Sequence, residues 1–214
     1  MEDTALRTLW KAQGEKLEKA LKFNLFLMES LQKQKAESKL NSLARFKSRA
    51  VIAGILWVII LGILFYGNQL QNIYFTISVG IIMLFNIGAV VMYINHIVLI
   101  RQIDYSQSIT ATQKKLSALQ ASTFNMRFLF LQAPFYTTWF WSIEMIGELD
   151  IKFWLISVPI TLLFTILAIW LFKNLTPQNM NKKWVKAFIK SNTEHSSIIK
   201  AQDFLTEIEQ FKKD

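Results

Sequence analysis

The 214 residues contain no cysteine, which removes disulfides, thiolate-ligated zinc, iron–sulfur clusters and thiol nucleophiles together. Histidine is almost as scarce: His96 and His195 stand alone, with no carboxylates around them in a metal-ligating spacing. An HExxH motif, a phosphate-cradling glycine loop, paired carboxylates in an apolar setting and a Ser–His–acid set within one compartment are also missing. A non-enzymatic protein without cofactor or metal is therefore expected. Three prolines and seven glycines punctuate the chain, and so few breakers favour long helices.

The widest gap is in charge. From Ala50 to Ile100, fifty-one consecutive positions hold no Lys, Arg, Asp or Glu. About 20 apolar residues cross a bilayer core as a helix, so this run fits two crossings and a turn and is too long for a soluble core element. The turn falls at Gly67-Asn68-Gln69-Leu70-Gln71-Asn72, between Tyr66 and Tyr74 at headgroup level. Two spans follow from this, 50–66 and 73–100.

A third span, 128–146, is rich in aromatics (Phe128, Phe130, Phe135, Tyr136, Trp139, Phe140, Trp141) and carries Pro134, which predicts a kink. Glu144, Glu148 and Asp150 then form a short acidic loop of solvated charges. The fourth span, 153–172, has Trp154 and Trp170 at its ends and Pro159 within. The fold class is thus an all-α integral membrane protein with four transmembrane helices in two hairpins. Ser157, Thr161, Thr165 and Ala168 on the fourth span, and Thr76, Gly80 and Gly88 on the second, form stripes of small residues. Close helix packing explains them better than a pore lining, because a conduit would need several copies assembled as a homo-oligomer.

The charged parts read as amphipathic helices. Residues 1–49 place Leu6, Leu9, Trp10, Leu17, Leu21, Leu25, Met28, Leu31, Leu40, Leu43 and Phe46 mostly at steps of three and four, with Arg45, Lys47 and Arg49 at the headgroup boundary. This segment is neither a signal peptide nor a span. Residues 101–127 form a helical hairpin turning at Asp104–Ser108, with Ile109, Thr112, Leu116, Leu119 and Thr123 on one stripe of its second helix. In the tail, 173–214, Lys183, Trp184, Lys186 and Phe188 suit a membrane surface. Ile198, Ala201, Leu205 and Ile208 make another stripe flanked by Phe204 and Phe211.

Charge orients the hairpins. Of the 24 Lys and Arg, eleven precede the first span, four lie in 101–127 and eight follow the fourth, which leaves Lys152 alone on the other side. Basic loops stay cytoplasmic, so both termini and the middle hairpin are expected in the cytoplasm, and the formal charge of +9 needs no nucleic-acid partner. Near the cytoplasmic face Asn95, His96 and Gln132 lie at one depth, counted from the span ends. Gln132 is expected to bond to Asn95, His96 or backbone freed by Pro134. A lone histidine at that level is read as packing rather than as a ligand.

Leu9-Trp10, Thr112-Gln113-Lys114-Lys115-Leu116, Phe130-Leu131-Gln132-Ala133-Pro134-Phe135-Tyr136-Thr137-Thr138-Trp139 and Asn181-Lys182-Lys183-Trp184 carry a near full-length resemblance. By them the chain resembles an uncharacterised family of small four-span bacterial inner-membrane proteins, whose genes often accompany extracytoplasmic-function sigma factors. The resemblance implies an anti-sigma-like signalling role by association. The His and paired-Cys zinc pattern of one anti-sigma class is absent here.

Two functions are consistent with these features. The first is a regulatory or adaptor protein in the lipid bilayer that binds a cytoplasmic protein partner through its helices, docking at Leu6, Leu9 and Trp10 or at Leu205, Ile208 and Phe211. The alternative is a subunit of an oligomeric channel or transporter. The absence of cysteine makes the orientation directly testable. Gly147→Cys is expected to react with an impermeant thiol reagent on intact cells and Ser106→Cys only after permeabilisation; the reverse pattern inverts the topology.

Overall fold

The computed structural model describes residues 2–68, 71–104, 109–147, 151–191 and 193–211, without the side chains of 2–9, 190, 193, 209 and 211. The predicted turn positions Gln69, Leu70 and Tyr105 to Ser108, the acids Glu148 and Asp150, and the side chains of Leu6, Leu9 and Phe211 lie outside it. Every regular element among the described residues is helical.

Helix α1, Glu2–Gly67, is one continuous rod of 66 residues, about 100 Å long at 1.5 Å per residue. It contains no proline, so nothing interrupts the ladder between the charged N-terminal part and the apolar run. Asn72 then starts α2, Ile73–Arg101, its side-chain oxygen accepting from the backbone of Tyr74 and Phe75. The same side chain donates to the Trp141 carbonyl at 2.7 Å, tying the α1–α2 turn to the turn after the third apolar segment. Helix α3 is Ile109–Asn125.

The third apolar segment is not the single kinked helix predicted over 128–146. It runs as a 3-10 turn Met126–Gln132, a short α4 Ala133–Thr137, another 3-10 turn Thr138–Phe140, an extended Trp141, and α5 Ile143–Gly147. Pro134 supplies no N–H and obstructs the preceding turn. Hydroxyls engage nearby carbonyls: Thr137 donates to Pro134 O and Thr138 to Phe135 O. Pro159 acts similarly, since the turn before it widens to a π-helix, Phe153–Ser157, before α6, Val158–Asn174. Helices α7, Lys183–Ser191, and α8, Thr193–Phe211, complete the chain.

Three helical stretches, Trp10–Gly67 within α1, α2 and Phe153–Asn174, are long and apolar enough to cross a membrane. Ile52, Leu56 and Ile63 of α1, Leu84 of α2, and Leu155, Leu163 and Ile166 of the last stretch all point outward, as lipid-facing residues do. The irregular third segment runs beside α2 in the opposite direction. Ser78 meets Thr138 at 2.6 Å, Asn86 meets Gln132 at 3.0 Å, and Phe85 stacks on Phe128. It also packs on α6, where the Thr137 and Thr161 hydroxyls lie 2.8 Å apart.

Beyond the apolar block, the amphipathic stripes close on one another. Ala36, Leu40 and Leu43 of α1, Ile100 and Ile103, Leu116 and Leu119 of α3, and Ile198, Ala201, Leu205 and Ile208 of α8 form one core. A smaller core of Phe124, Leu175, Val185 and Ile189 seats α7.

The small-residue stripes serve packing: Thr76, Thr161 and Ala168 are buried, and Gly88 faces the Phe128 ring. A Cβ on Gly54 would lie 2.8 Å from Val90 Cγ2, so α1 and α2 approach here because position 54 has no side chain. Gly54→Ala is expected to cost about 1–3 kcal/mol as overpacking, against alanine's better helix propensity. Adding Val90→Ala should return part of that loss, measured as thermal unfolding in detergent.

Candidate functional site

Each amphipathic stripe ends in a polar residue where it reaches the apolar block. On α1 the buried positions Gln32, Ala36, Leu40 and Leu43 run on to Lys47 at helical spacing. On α8 the stripe of Ile208, Leu205, Ala201 and Ile198 runs back to Glu194 in the first turn. His96 lies one turn before Ile100 on α2, and Ser122 and Thr123 follow Leu119 on α3. The four ends meet at one level.

Lys47 is fully buried, at 0% exposure. Its ammonium donates to Glu194 Oε2 at 2.5 Å and to His96 Nδ1 at 3.1 Å, and lies 4.3 Å from the centre of the Tyr93 ring. The other Glu194 oxygen accepts from the Tyr93 hydroxyl at 2.8 Å. An ammonium has only donors, so His96 Nδ1 accepts and its Nε2–H faces Ser122 Oγ at 2.8 Å. Burial pulls the Lys47 pKa below the usual lysine range, while the Glu194 carboxylate beside it acts in the opposite direction.

With Nδ1 occupied by the ammonium, His96 has no lone pair for the Ser122 proton, so the pair is not a nucleophile and its base. No group of three or more His, Asp or Glu suited to a metal ion occurs among the described residues. The cluster acts as a polar clamp joining α1, α2, α3 and α8 between the apolar block and the larger helical core.

The predicted polar layer is rearranged. Gln132 accepts from Asn86 at 3.0 Å rather than pairing with Asn95 or His96, and Asn95 lies exposed on α2. The reason is register. His96 faces Ser122, and ten residues further along each antiparallel partner Asn86 faces Gln132; counting depth from Arg127 places Gln132 too near the surface. Leu205 and Ile208, expected as docking residues, are each 1% exposed inside the larger helical core. They cannot present an apolar surface. Trp10 is 72% exposed. Lys183 and Lys186 are exposed, whereas Trp184 and Phe188 pack on the smaller core, with the Trp184 and Trp170 rings 5.0 Å apart.

Tyr93, Ser122 and Glu194 escaped the sequence reading, and Lys47, expected with Arg45 and Arg49 at the headgroup boundary, is buried in this cluster instead. The available signal was the spacing that puts Lys47 four after Leu43 and Glu194 four before Ile198, which extends each apolar stripe by one charged residue of opposite sign. Removing one partner of a buried ion pair strands the other charge, at a cost of about 3–5 kcal/mol. Lys47→Met is thus expected to lower the unfolding temperature sharply in detergent, and Lys47→Met/Glu194→Leu to regain most of it. Comparison with protein-family models, with curated proteins and with solved structures finds no match to this chain.

Proposed function

We propose that this protein is a regulatory adaptor of the bacterial cytoplasmic membrane, with four spans and both termini cytoplasmic, whose N-terminal helix docks a cytoplasmic protein. The observation that carries this reading is the exposed apolar surface on the part of α1 around and before Gln32, whose side chain donates to Glu207 of α8. Leu17, Leu21, Phe23, Phe26 and Leu31 are all exposed there, Phe26 at 67%. The helix is unbroken from these residues into the apolar run. They therefore stand about 30–50 Å from the start of that run, beyond the reach of the same bilayer. An apolar patch in water at that distance calls for a protein cover.

The docking surface is thus placed on 17–31 rather than on the C-terminal helix. Leu17, Leu21 and Leu25 recur four apart, the pattern of an amphipathic helix laid into an apolar groove. Phe23 and Phe26 widen the band, so the partner must enclose more than one face. The channel-subunit alternative has less to support it. Within the apolar block the polar side chains Ser78, Thr138, Asn86, Gln132, Thr137 and Thr161 bond to one another.

A photo-crosslinking amino acid at Phe26 in living cells is expected to give one discrete adduct with a soluble protein. Leu21→Glu should reduce that adduct at least tenfold, since losing one buried leucine removes roughly 1.5–3 kcal/mol of contact. Adducts with lipid alone would remove the adaptor reading, and adducts with a second copy alone would replace the partner with a homo-oligomer.

A further inference from the structure

Beside the polar clamp a cavity of about 110 Å³ opens between α2, the start of the third apolar segment, and α8. One water needs about 10–15 Å³ of such space, so it has room for several waters or one phosphate group. Its polar lining is Tyr93, Thr123, Arg127, Glu194 and His195, and Phe130 and Phe188 stand among its apolar walls.

Most of these polar groups are engaged elsewhere. Thr123 donates to Leu119 O, Tyr93 donates to Glu194, and the Glu194 oxygens accept from Lys47 and Tyr93. Two groups remain. His195 is 3% exposed and its ring lies tilted against Phe124, with centroids 4.5 Å apart, yet its Nδ1 is buried with no partner. Arg127 lies over the Phe172 ring and makes a single long hydrogen bond, 3.4 Å to the Leu175 carbonyl. Most of its guanidinium fork is left to bind something else.

We propose that this cavity binds a phosphate ester group, held by the Arg127 guanidinium and by His195 Nδ1–H. The Glu194 charge does not repel it, because Lys47 cancels that charge and Arg127 leaves the site positive. A planar fork beside a neutral imidazole donor suits phosphate oxygens, which accept several hydrogen bonds at once. Burial holds the His195 pKa below the usual histidine range, so near neutral pH the ring is a donor without charge. The site lies where the apolar run begins, immediately before Phe128. It is therefore within reach of an anionic phospholipid headgroup, whose glycerol end would rest on Phe130 and Phe188, as well as of a soluble phosphate ester.

The test uses the purified full chain in detergent, titrated separately with dioleoyl phosphatidylglycerol and with glycerol 3-phosphate. Native mass spectrometry reads bound copies and unfolding temperature reads stabilisation. One bound copy is expected, with affinity falling at least tenfold in both Arg127→Gln and His195→Phe; the phenyl ring keeps the tilted contact with Phe124 while removing the donor. Arg127→Lys keeps the charge without the fork and should fall in between. Saturable binding of the lipid alone assigns the site to the membrane, and binding of glycerol 3-phosphate assigns it to a soluble ester. Circular dichroism and gel filtration establish that each variant is folded. Binding of neither probe, or equal binding by wild type and by folded Arg127→Gln and His195→Phe, overturns the proposal.

Discussion

The buried pair of Lys47 and Glu194 is the constraint on which the packing of the amphipathic helices depends. A lysine at 0% exposure is costly unless all its donors are answered. Here the carboxylate, the His96 imidazole and the Tyr93 ring each take one side of the ammonium. Those partners come from α2 and α8, so with Lys47 on α1 the three helices have one mutual register that answers the charge. Sliding α8 by a turn would still bury apolar residues on α1, but it would strand both ions.

The clamp also divides the protein into two regimes. On one side the apolar block faces outward with aliphatic side chains and is held within by a few hydroxyl and amide pairs and by close approach at Gly54. On the other side the stripes of α1, α3 and α8 bury one another completely. That closure is what makes the projecting part of α1 distinctive. The same helical periodicity continues past Gln32 through Met28 and Leu25, which are half-buried, to Leu21 and Leu17, which are exposed. A surface that repeats the pattern of a buried one, carried on a rod too long to fold back, supports a role in binding something outside the chain.

The third apolar segment shows how composition and geometry can separate. Its length and aromatic content suit a span, and it lies against α2 and α6 along their length. Pro134 nevertheless divides it into short 3-10 and α turns, with Thr137 and Thr138 bonding nearby carbonyls. A 3-10 turn rises about 2 Å per residue against 1.5 Å in an α-helix, so its side chains advance faster along α2 than a helical count assumes.

The sequence by itself determined the all-helical class, the positions of the long apolar stretches, and the amphipathic stripes at 36–43, 112–123 and 198–208. Segment composition and period alone decide how a stretch partitions and which of its faces is buried. Tertiary structure decided which stripe lies against which. It joined Lys47 to Glu194 across 147 positions, moved Gln132 from His96 to Asn86, and took Leu205 and Ile208 into the core while leaving Leu17, Leu21 and Phe26 outside. A stripe of period 3.6 states that a face seeks burial and is silent about its partner. Register is set by the whole packed arrangement, where one buried charge discriminates between alignments that apolar contact alone treats as nearly equal.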